Sequence, residues 1–472
     1  MPESKSRWIA LLIVLFAPLL SVIDVFIINI AIPAIRKGVH ATEAEVQLVI
    51  ASYLLGYAAF LITGGRLGDH FGRKRIFLTG MLLFTATSCW CGLSGSALEL
   101  NIARFFQGVS AALMVPQTLS YIQLLFQNPE DRAKAVGWFG FTLGVASIAG
   151  QFLGGFLTWF HFFIPGWRLI FFINLPLGII SLAGAFRYLK ETGVNASSKF
   201  DIPGVVLLTV SLFCLIIPLI LGREYGWPWW SWAILLSSAL LFFLFFKNQD
   251  RKRLRGGAPL INTDLLKFRD FNIGLLCVFC LFVFHNTYLL ISTLLFQNGF
   301  QYNPFIAGKL FVIFGIGSTI SSLYSGKLIG RYGKKVVLAG VFFLFVSIGA
   351  QLFFFSSDHY SQPFIALMLF IHGAGMGVAI PSTLNVTLKS VPAEFAGAAS
   401  GLYSTFQQTS SALGVSVIGG VFFSVLGKYA DRLHYEQAFK AAGLCELLTL
   451  LILSVLLLIM PDSPGAAVHI GE

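Results

Sequence analysis

The chain has 472 residues, of which 56% are hydrophobic and only 11% charged, with a mean hydropathy of +0.81. Soluble domains carry about 25% charged residues, so a water-facing surface is excluded and the chain reads as an all-α protein that spans a membrane many times. A net charge of +11 would suggest nucleic acid in a soluble protein, but the placement of the charges excludes that partner here.

A helix crossing a hydrocarbon core of about 30 Å needs about 20 residues. Apolar segments of that kind run at 8–32, 45–65, 76–95, 98–122, 135–159, 168–187, 203–222, 231–247, 272–295, 306–326, 336–356, 363–384, 398–426 and 442–461. They predict fourteen transmembrane helices, so both termini share one side. If that side is the cytoplasm, the inside segments hold 23 of the 32 Lys and Arg residues, and the positive-inside rule fixes this orientation. The basic loops are therefore topology signals in a bacterial inner or plasma membrane protein. The first apolar run is too long for a signal-peptide core and carries Asp24, so it is expected to be a retained helix. The six cysteines lie within apolar runs and read as packing residues, not as metal ligands or disulfides.

An internal repeat organises the spans. Gly65, Leu67 and Gly72 recur as Gly326, Leu328 and Gly333 at an offset of 261. Further along, Gln107-Gly108 aligns with His372-Gly373 and Gly154-Gly155 with Gly419-Gly420, at an offset of 265. The pattern predicts an N-terminal six-helix bundle within 1–200, two inserted helices and a basic cytoplasmic linker within 201–270, and a C-terminal six-helix bundle within 271–472. Parallel repeats about an axis normal to the membrane are a transporter plan, with substrate held at the midplane between halves.

Catalytic signatures are missing. Gly-Lys at 308, 326, 333 and 427 is never followed by Ser or Thr, HExxH and GxSxG do not occur, and no cofactor or metal motif is present. A membrane enzyme acting on lipid would need a nucleophile, acid and base at one depth, whereas the sequence offers scattered Asp24, His285 and His372.

In SVIDVFIINIAIP, Asp24 lies about 24 Å along the helix from Trp8. A carboxyl at that depth holds its proton in a dry cavity and gives it up in a wet one, which couples proton movement to conformation. Arg104, in LNIARFFQGVSAA, enters the fourth span to a similar depth and needs a carboxylate partner, either Asp24 or Glu99. In GRLGDHFGRKR, Gly65 and Gly72 permit a tight turn, while Asp69 among Arg66, Arg73, Lys74 and Arg75 suits a charge latch that gates one conformation; Arg132 is another partner open to it. His285 follows Asp24 by 261 residues and His372 matches Gln107, so both are candidates to titrate near neutral pH. Glu446 stands at the start of the last apolar segment and reads as shallow. Asn29, Tyr53, Gln107, Gln117, Asn174, Tyr403 and Gln407, with Gln408, are the polar residues expected to line a cavity. Their apolar surroundings favour bulky amphipathic or aromatic ligands over sugars, and a small hydrophobic or cationic substrate is the expected partner.

These residues resemble the major facilitator superfamily, and within it the fourteen-helix drug/proton antiporters of the EmrB/QacA type. GRLGDHFGRKR resembles the superfamily's loop motif, LNIARFFQGVSAA its fourth-helix motif, and SVIDVFIINIAIP and WRLIFFINLPLG (Trp167 to Gly178) the first- and sixth-helix motifs of the fourteen-helix group; AASGLYSTFQQ fits its thirteenth span. The resemblance implies a major facilitator fold, alternating access by two rocking bundles, and proton coupling through Asp24 with Arg104 as modulator. One departure stands out: the fifth-helix antiporter motif carries Gly-Pro before its paired glycines, and here Gln151 replaces the proline between Gly150 and Gly154-Gly155. The expected function is proton-coupled efflux of drugs or hydrophobic compounds, with protons and the lipid bilayer as partners. The alternative is a proton-linked carrier of a defined metabolite, peptide or siderophore-like molecule, working in either direction. Any periplasmic adaptor protein would have to use short loops such as GKYADRLHYEQAFK, at 427–440.

Overall fold

The computed structural model describes residues 3–160, 163–191, 201–355, 361–392, 395–427 and 431–461. Among them the chain is helical throughout, with no strand. The first span is α1 (Glu3–Val14) and α2 (Phe16–Gly38), followed by α3 (Glu43–Phe71), α4 (Arg73–Leu93), α5 (Ala97–Leu125) and α6 (Pro129–Trp159). The sixth span is α7 (Gly166–Phe172) with α8 (Asn174–Tyr188), and the inserted pair is α9 (Ile202–Glu224) and α10 (Trp229–Leu254). The second half comprises α11 (Arg269–Leu294), α12 (Pro304–Tyr332), α13 (Lys334–Phe355), α14 (Gln362–Leu388), α15 (Ala396–Leu426) and α16 (Arg432–Ile459).

Thirteen of these spans are long and apolar enough to cross a membrane by themselves. The fourteenth is α5, whose Arg104, Gln107 and Gln117 lower its hydropathy and are all buried against neighbouring helices. Two six-helix bundles with two inserted helices therefore account for the fourteen predicted spans. Helix starts follow local chemistry. Thr42 and Glu45 form a capping box on α3, Ser96 caps α5, and Asn128-Pro129 and Asn303-Pro304 open α6 and α12.

The sequence repeat is a packing repeat. A Cβ on Gly56 would collide with the carbonyl of Phe105, and one on Gly108 with that of Tyr53, so α3 and α5 meet backbone to backbone. At the repeat offsets, Gly317 faces Phe370 and Gly373 faces Phe314 in the same way between α12 and α14. Pro116 and Pro381, also 265 apart, interrupt α5 and α14. Gly72 (φ 98°) and Gly333 (φ 55°) reverse the chain in the left-handed region after α3 and α12.

The chain turns at 72, 255–268 and 333 mark one end of the molecule, which carries the basic loops; the turns at 39–42, 225–228 and 300–303 mark the other. At this other end the bundles are closed on each other. Gly155 of α6 lies against Pro304 and Gly308 of α12, Gln47 Nε2 donates to Val415 O at 3.1 Å, and Gln297 Nε2 to Ile30 O at 2.7 Å. Contact between α6 and α12 continues through Ile148 with Gly315 and Gly144 with Thr319, then stops, because Gly137, Gly140, Gly326 and Gly330 have open space beside them. On the α3 and α15 side, contact ends near Ile62 and Gly401, and Gly397 is again open. The bundles thus splay apart toward the basic end.

The inserted helices sit on one flank. α9 packs against both α3 and α15 and α10 packs outside it, while Arg223 pairs with Glu43 (3.7 Å) and lies over the Phe423 ring. The basic linker is tied down: buried Asp201 accepts from Lys252, from Gln249 Nε2 (2.7 Å) and from Leu260 N (3.2 Å), and Arg66 donates to the carbonyl of Pro259. Hydrogen bonding from Lys267 and the nearby Arg253 hold the exposed Asp264 carboxyl below the usual carboxylate range.

Two expectations change. The apolar segments understate the helices, since polar ends extend them: α16 begins at Arg432, ten residues before the predicted span. Glu446 is consequently not shallow but near the middle of a 28-residue helix and fully buried. Of the 427–440 loop, residues 428–430 lie outside the described residues.

Overpacking a close helix contact costs about 1–3 kcal/mol. Gly108→Ala should therefore lower the thermal unfolding midpoint in detergent by several degrees, while Gly349→Ala, where an added methyl meets nothing within 4 Å, should leave it in place.

Candidate functional site

Four helices of the N-terminal bundle bring polar side chains to one buried point. α2 supplies Asp24, α4 Ser88 and Cys91, α5 Arg104 and Gln107, and α8 Asn174, each of them fully or almost fully buried. Arg104 donates to Asp24 Oδ2 in a close ion pair and to Gln107 Oε1 at 2.8 Å, while Gln107 Nε2 donates to Asp24 Oδ1 at 2.8 Å. Asn174 Nδ2 stands 3.5 Å from Asp24 Oδ1 and donates to Ser88 Oγ at 2.9 Å; Ser88 in turn donates to Phe171 O. Arg104 Nε donates to Val49 O (3.1 Å), its guanidinium lies 4.4 Å from the centre of the Tyr53 ring, and the Tyr53 hydroxyl meets Ser21 Oγ at 2.8 Å.

The electrostatics follow from burial. A charge without a partner in the membrane interior is costly, and a paired one is tolerated only when its remaining hydrogen bonds are met. Asp24 has donors on both oxygens, and Arg104 has the carboxylate, an amide oxygen, a carbonyl and an aromatic face. The pair is thus formed from the carboxylate of Asp24. Protonating that carboxyl would remove the charge that holds Arg104 and leave a fixed cation facing neutral groups.

The other candidates are dispersed. Glu99 is not the partner of Arg104; it accepts from Trp90 Nε1 (2.9 Å) and Gly95 N (2.8 Å) at the outer start of α5. Gln117 joins helices, donating to Gly64 O at 2.8 Å, and does not reach the Asp24 cluster. Asn29 donates to Val25 O on its own helix. His285 lies at the seam between bundles, edge-on to Phe26 with ring centres 6.3 Å apart. His372 is inside the C-terminal bundle, stacked on Tyr288 at 3.7 Å. Tyr403 is buried and Gln407 half-buried on α15. Gln151, at the position of the motif proline, is buried on α6, and neither its amide nitrogen nor its oxygen has a partner.

In the loop motif, Arg73 donates to Asp69 at 2.8 Å and to Ser120 O at 3.3 Å, within one bundle. Gly65 is open but for Pro116, and Gly72 faces Glu191. Arg132 is exposed on the first turn of α6 with no ion pair to Asp69 among the described residues; the neighbouring Asp131 pairs with Arg7. The Asp69–Arg73 pair thus joins the end of α3 to the start of α4.

Sequence reasoning missed the Asp201 hub, the link from Arg66 to the linker, and Ser88 and Cys91 beside Asp24. Only the Arg66 contact had a signal, a fourth basic residue in the motif without an acid of its own. No group of three or more His, Cys, Asp or Glu residues among the described residues is arranged to hold a metal ion.

Guanidinium cannot shed its charge, whereas carboxylate can take a proton. Breaking a buried pair costs about 3–5 kcal/mol when a charge is stranded. In detergent at neutral pH, Asp24→Leu should lower the unfolding midpoint more than Arg104→Leu, and the double substitution should recover part of the loss.

A family model for the Major Facilitator Superfamily matches residues 14–202 and 202–415. The probable actinorhodin transporter of Streptomyces coelicolor is 35% identical over 448 residues, 93% of this chain and 76% of that protein. Multidrug resistance protein Stp of Mycobacterium tuberculosis is 32% identical over 88% of this chain and 76% of its own length. Among solved structures, a bacterial homologue of the human lysosomal transporter Spinster, inward-facing and unoccupied, aligns with a TM-score of 0.71 at 15% identity over 96% of this chain and 97% of that one. With the family model matched along most of its length and fourteen membrane helices built as two glycine-packed bundles, this chain belongs to the major facilitator superfamily of transporters.

Proposed function

We propose that this protein is a proton-coupled exporter of hydrophobic or cationic compounds, exchanging substrate for protons by alternating access. The observation that carries the reading is the Asp24 carboxylate, buried in the first span and held by Arg104 and Gln107. Sequence relatives named as a probable actinorhodin transporter and a multidrug resistance protein support the substrate class and the outward direction. The basic end is the cytoplasmic one in this reading, following the positive-inside rule, and the termini and linker lie there. The conformation is then open to the cytoplasm and closed outside.

An ion-paired Asp24 in a cytoplasm-open form is the state expected after proton release and before substrate loading. Substrate enters between the splayed ends of α6 and α12 and rests against the apolar walls near Phe26 and His285. The bundles then rock closed at the basic end, where Asp69 and its neighbouring cations, with Arg132, are placed to latch. Opened outward, the site exchanges substrate for a proton on Asp24, which loosens Arg104 and favours the return.

The driving force suffices for one carboxyl. A potential of about 100 mV supplies about 2.3 kcal/mol per charge, and one pH unit about 1.4 kcal/mol. Together they sustain a gradient of about 500-fold for a neutral substrate exchanged with one proton.

In vesicles whose interior corresponds to the outside of the cell, an imposed pH gradient should drive accumulation of a lipophilic dye. Asp24→Asn should abolish that accumulation, and Arg104→Lys should weaken it about tenfold or more, because a single ammonium cannot keep the forked contacts. Dye accumulation undiminished in Asp24→Asn would overturn the reading.

A further inference from the structure

The C-terminal bundle contains a second buried acid that the coupling scheme does not use. Glu446 is fully buried at the middle of α16, and neither carboxyl oxygen has a hydrogen-bond partner. Arg104 is the one buried Lys or Arg among the described residues, and it belongs to the other bundle. An isolated carboxylate in such surroundings is strongly disfavoured, so Glu446 is the neutral acid in this conformation.

Its surroundings mirror the Asp24 cluster. That cluster draws on the first, third, fourth and sixth spans of its bundle. In the C-terminal bundle the same four positions contribute Tyr288 (α11), Gln351 and Ser347 (α13), His372 (α14) and Glu446 (α16). Tyr288 Oη donates to Gln351 Oε1 at 3.0 Å, Gln351 Nε2 donates to Ser347 Oγ at 2.9 Å, and His372 stacks on the Tyr288 ring. His372 and Gln107 are themselves repeat partners.

Tyr288, His372 and His285 stand on the way from this cluster to the bundle seam. Tyr288 and His372 stack with ring centres 3.7 Å apart. Phe314 stands beside both imidazoles, with ring centres 6.1 Å from His285 and 5.8 Å from His372. His285 in turn reaches Phe26 across the seam. The ring nitrogens of His372 and Nδ1 of His285 have no partner. The remaining titratable groups on helices packed against α16 are Cys277 and Cys280 on α11 and Tyr403 on α15, with Cys445 on α16 itself. Lys334, Lys335, Arg269 and Asp270 stand at the basic ends of α13 and α11, and Arg432, His434, Tyr435, Glu436 and Lys440 toward the outer start of α16.

We infer that Glu446 is a second proton-binding site, reached from the seam between the bundles through His285, His372 and Tyr288, so that each transport cycle moves two protons, one bound in each bundle. The inference rests on the exporter reading and deepens it. In the cytoplasm-open form Asp24 has released its proton and Glu446 still holds one. The proton leaves the Glu446 carboxyl along this path to water in the open cavity, and a new one returns by the same route when the cavity opens outside.

The test uses the full-length protein in proteoliposomes with the membrane potential clamped at zero and tetraphenylphosphonium as substrate. Two coupled protons sustain a steady gradient of about 100-fold per pH unit and one sustains about tenfold. Wild type is expected at the steep value, Glu446→Gln, which keeps the shape of the neutral acid, at the shallow one, and Glu446→Asp, which restores a titratable carboxyl, back toward the steep one. Infrared spectra at neutral pH should show the carbonyl stretch of a protonated carboxylic acid in wild type and Asp24→Asn but not in Glu446→Gln. A tenfold gradient in both wild type and Glu446→Gln, or an acid band that survives Glu446→Gln, overturns the second site and leaves the exporter reading standing. No gradient in wild type overturns the exporter reading and the coupled role of Glu446 with it.

Discussion

A guanidinium that cannot be neutralised, placed inside a hydrocarbon-embedded bundle, is the constraint on which the N-terminal half is built. Arg104 is buried, and every alternative to a carboxylate leaves its charge facing apolar surroundings. Asp24 answers it from the first span, Gln107 from one turn along the same helix, Val49 from a backbone carbonyl, and Tyr53 with a ring face. The glycines that let α3 and α5 touch are part of the same arrangement, because only at that distance do the Val49 carbonyl and Tyr53 ring come within reach of α5. Packing and charge are one design here.

Most of this architecture was legible from the amino-acid order. Fourteen apolar runs and two loop motifs 261 residues apart carried the bundle plan, because hydrophobic length and turn glycines are local properties. The repeat even carried the packing partners: the residues opposite Gly56 and Gly108 return at the same offsets opposite Gly317 and Gly373. Depth along a helix was legible where the span was bounded by clear anchors, which is why Asp24 and Arg104 could be expected to meet.

Depth failed where the apolar run and the helix differ in length. Glu446 stands four residues into its apolar run but fourteen residues beyond the start of α16, and hydropathy reports only the former. Partner choice across the chain was also out of reach. Asp201 meets Lys252 and Gln249 because α9 and α10 are antiparallel neighbours closed by a folded linker, a tertiary fact with no local signature. Polar identity by itself misassigned Gln117, which spends its amide on the Gly64 carbonyl, because a buried glutamine serves a helix contact as readily as a cavity wall.

The asymmetry between the halves has a physical reading. Both bundles gather polar side chains at their first, third, fourth and sixth spans, yet among the described residues only one contains a buried Lys or Arg. With Arg104 present, the carboxyl of Asp24 has a counter-charge inside its own bundle. Without one, the buried carboxyl of Glu446 has neither a counter-charge nor a hydrogen-bond partner.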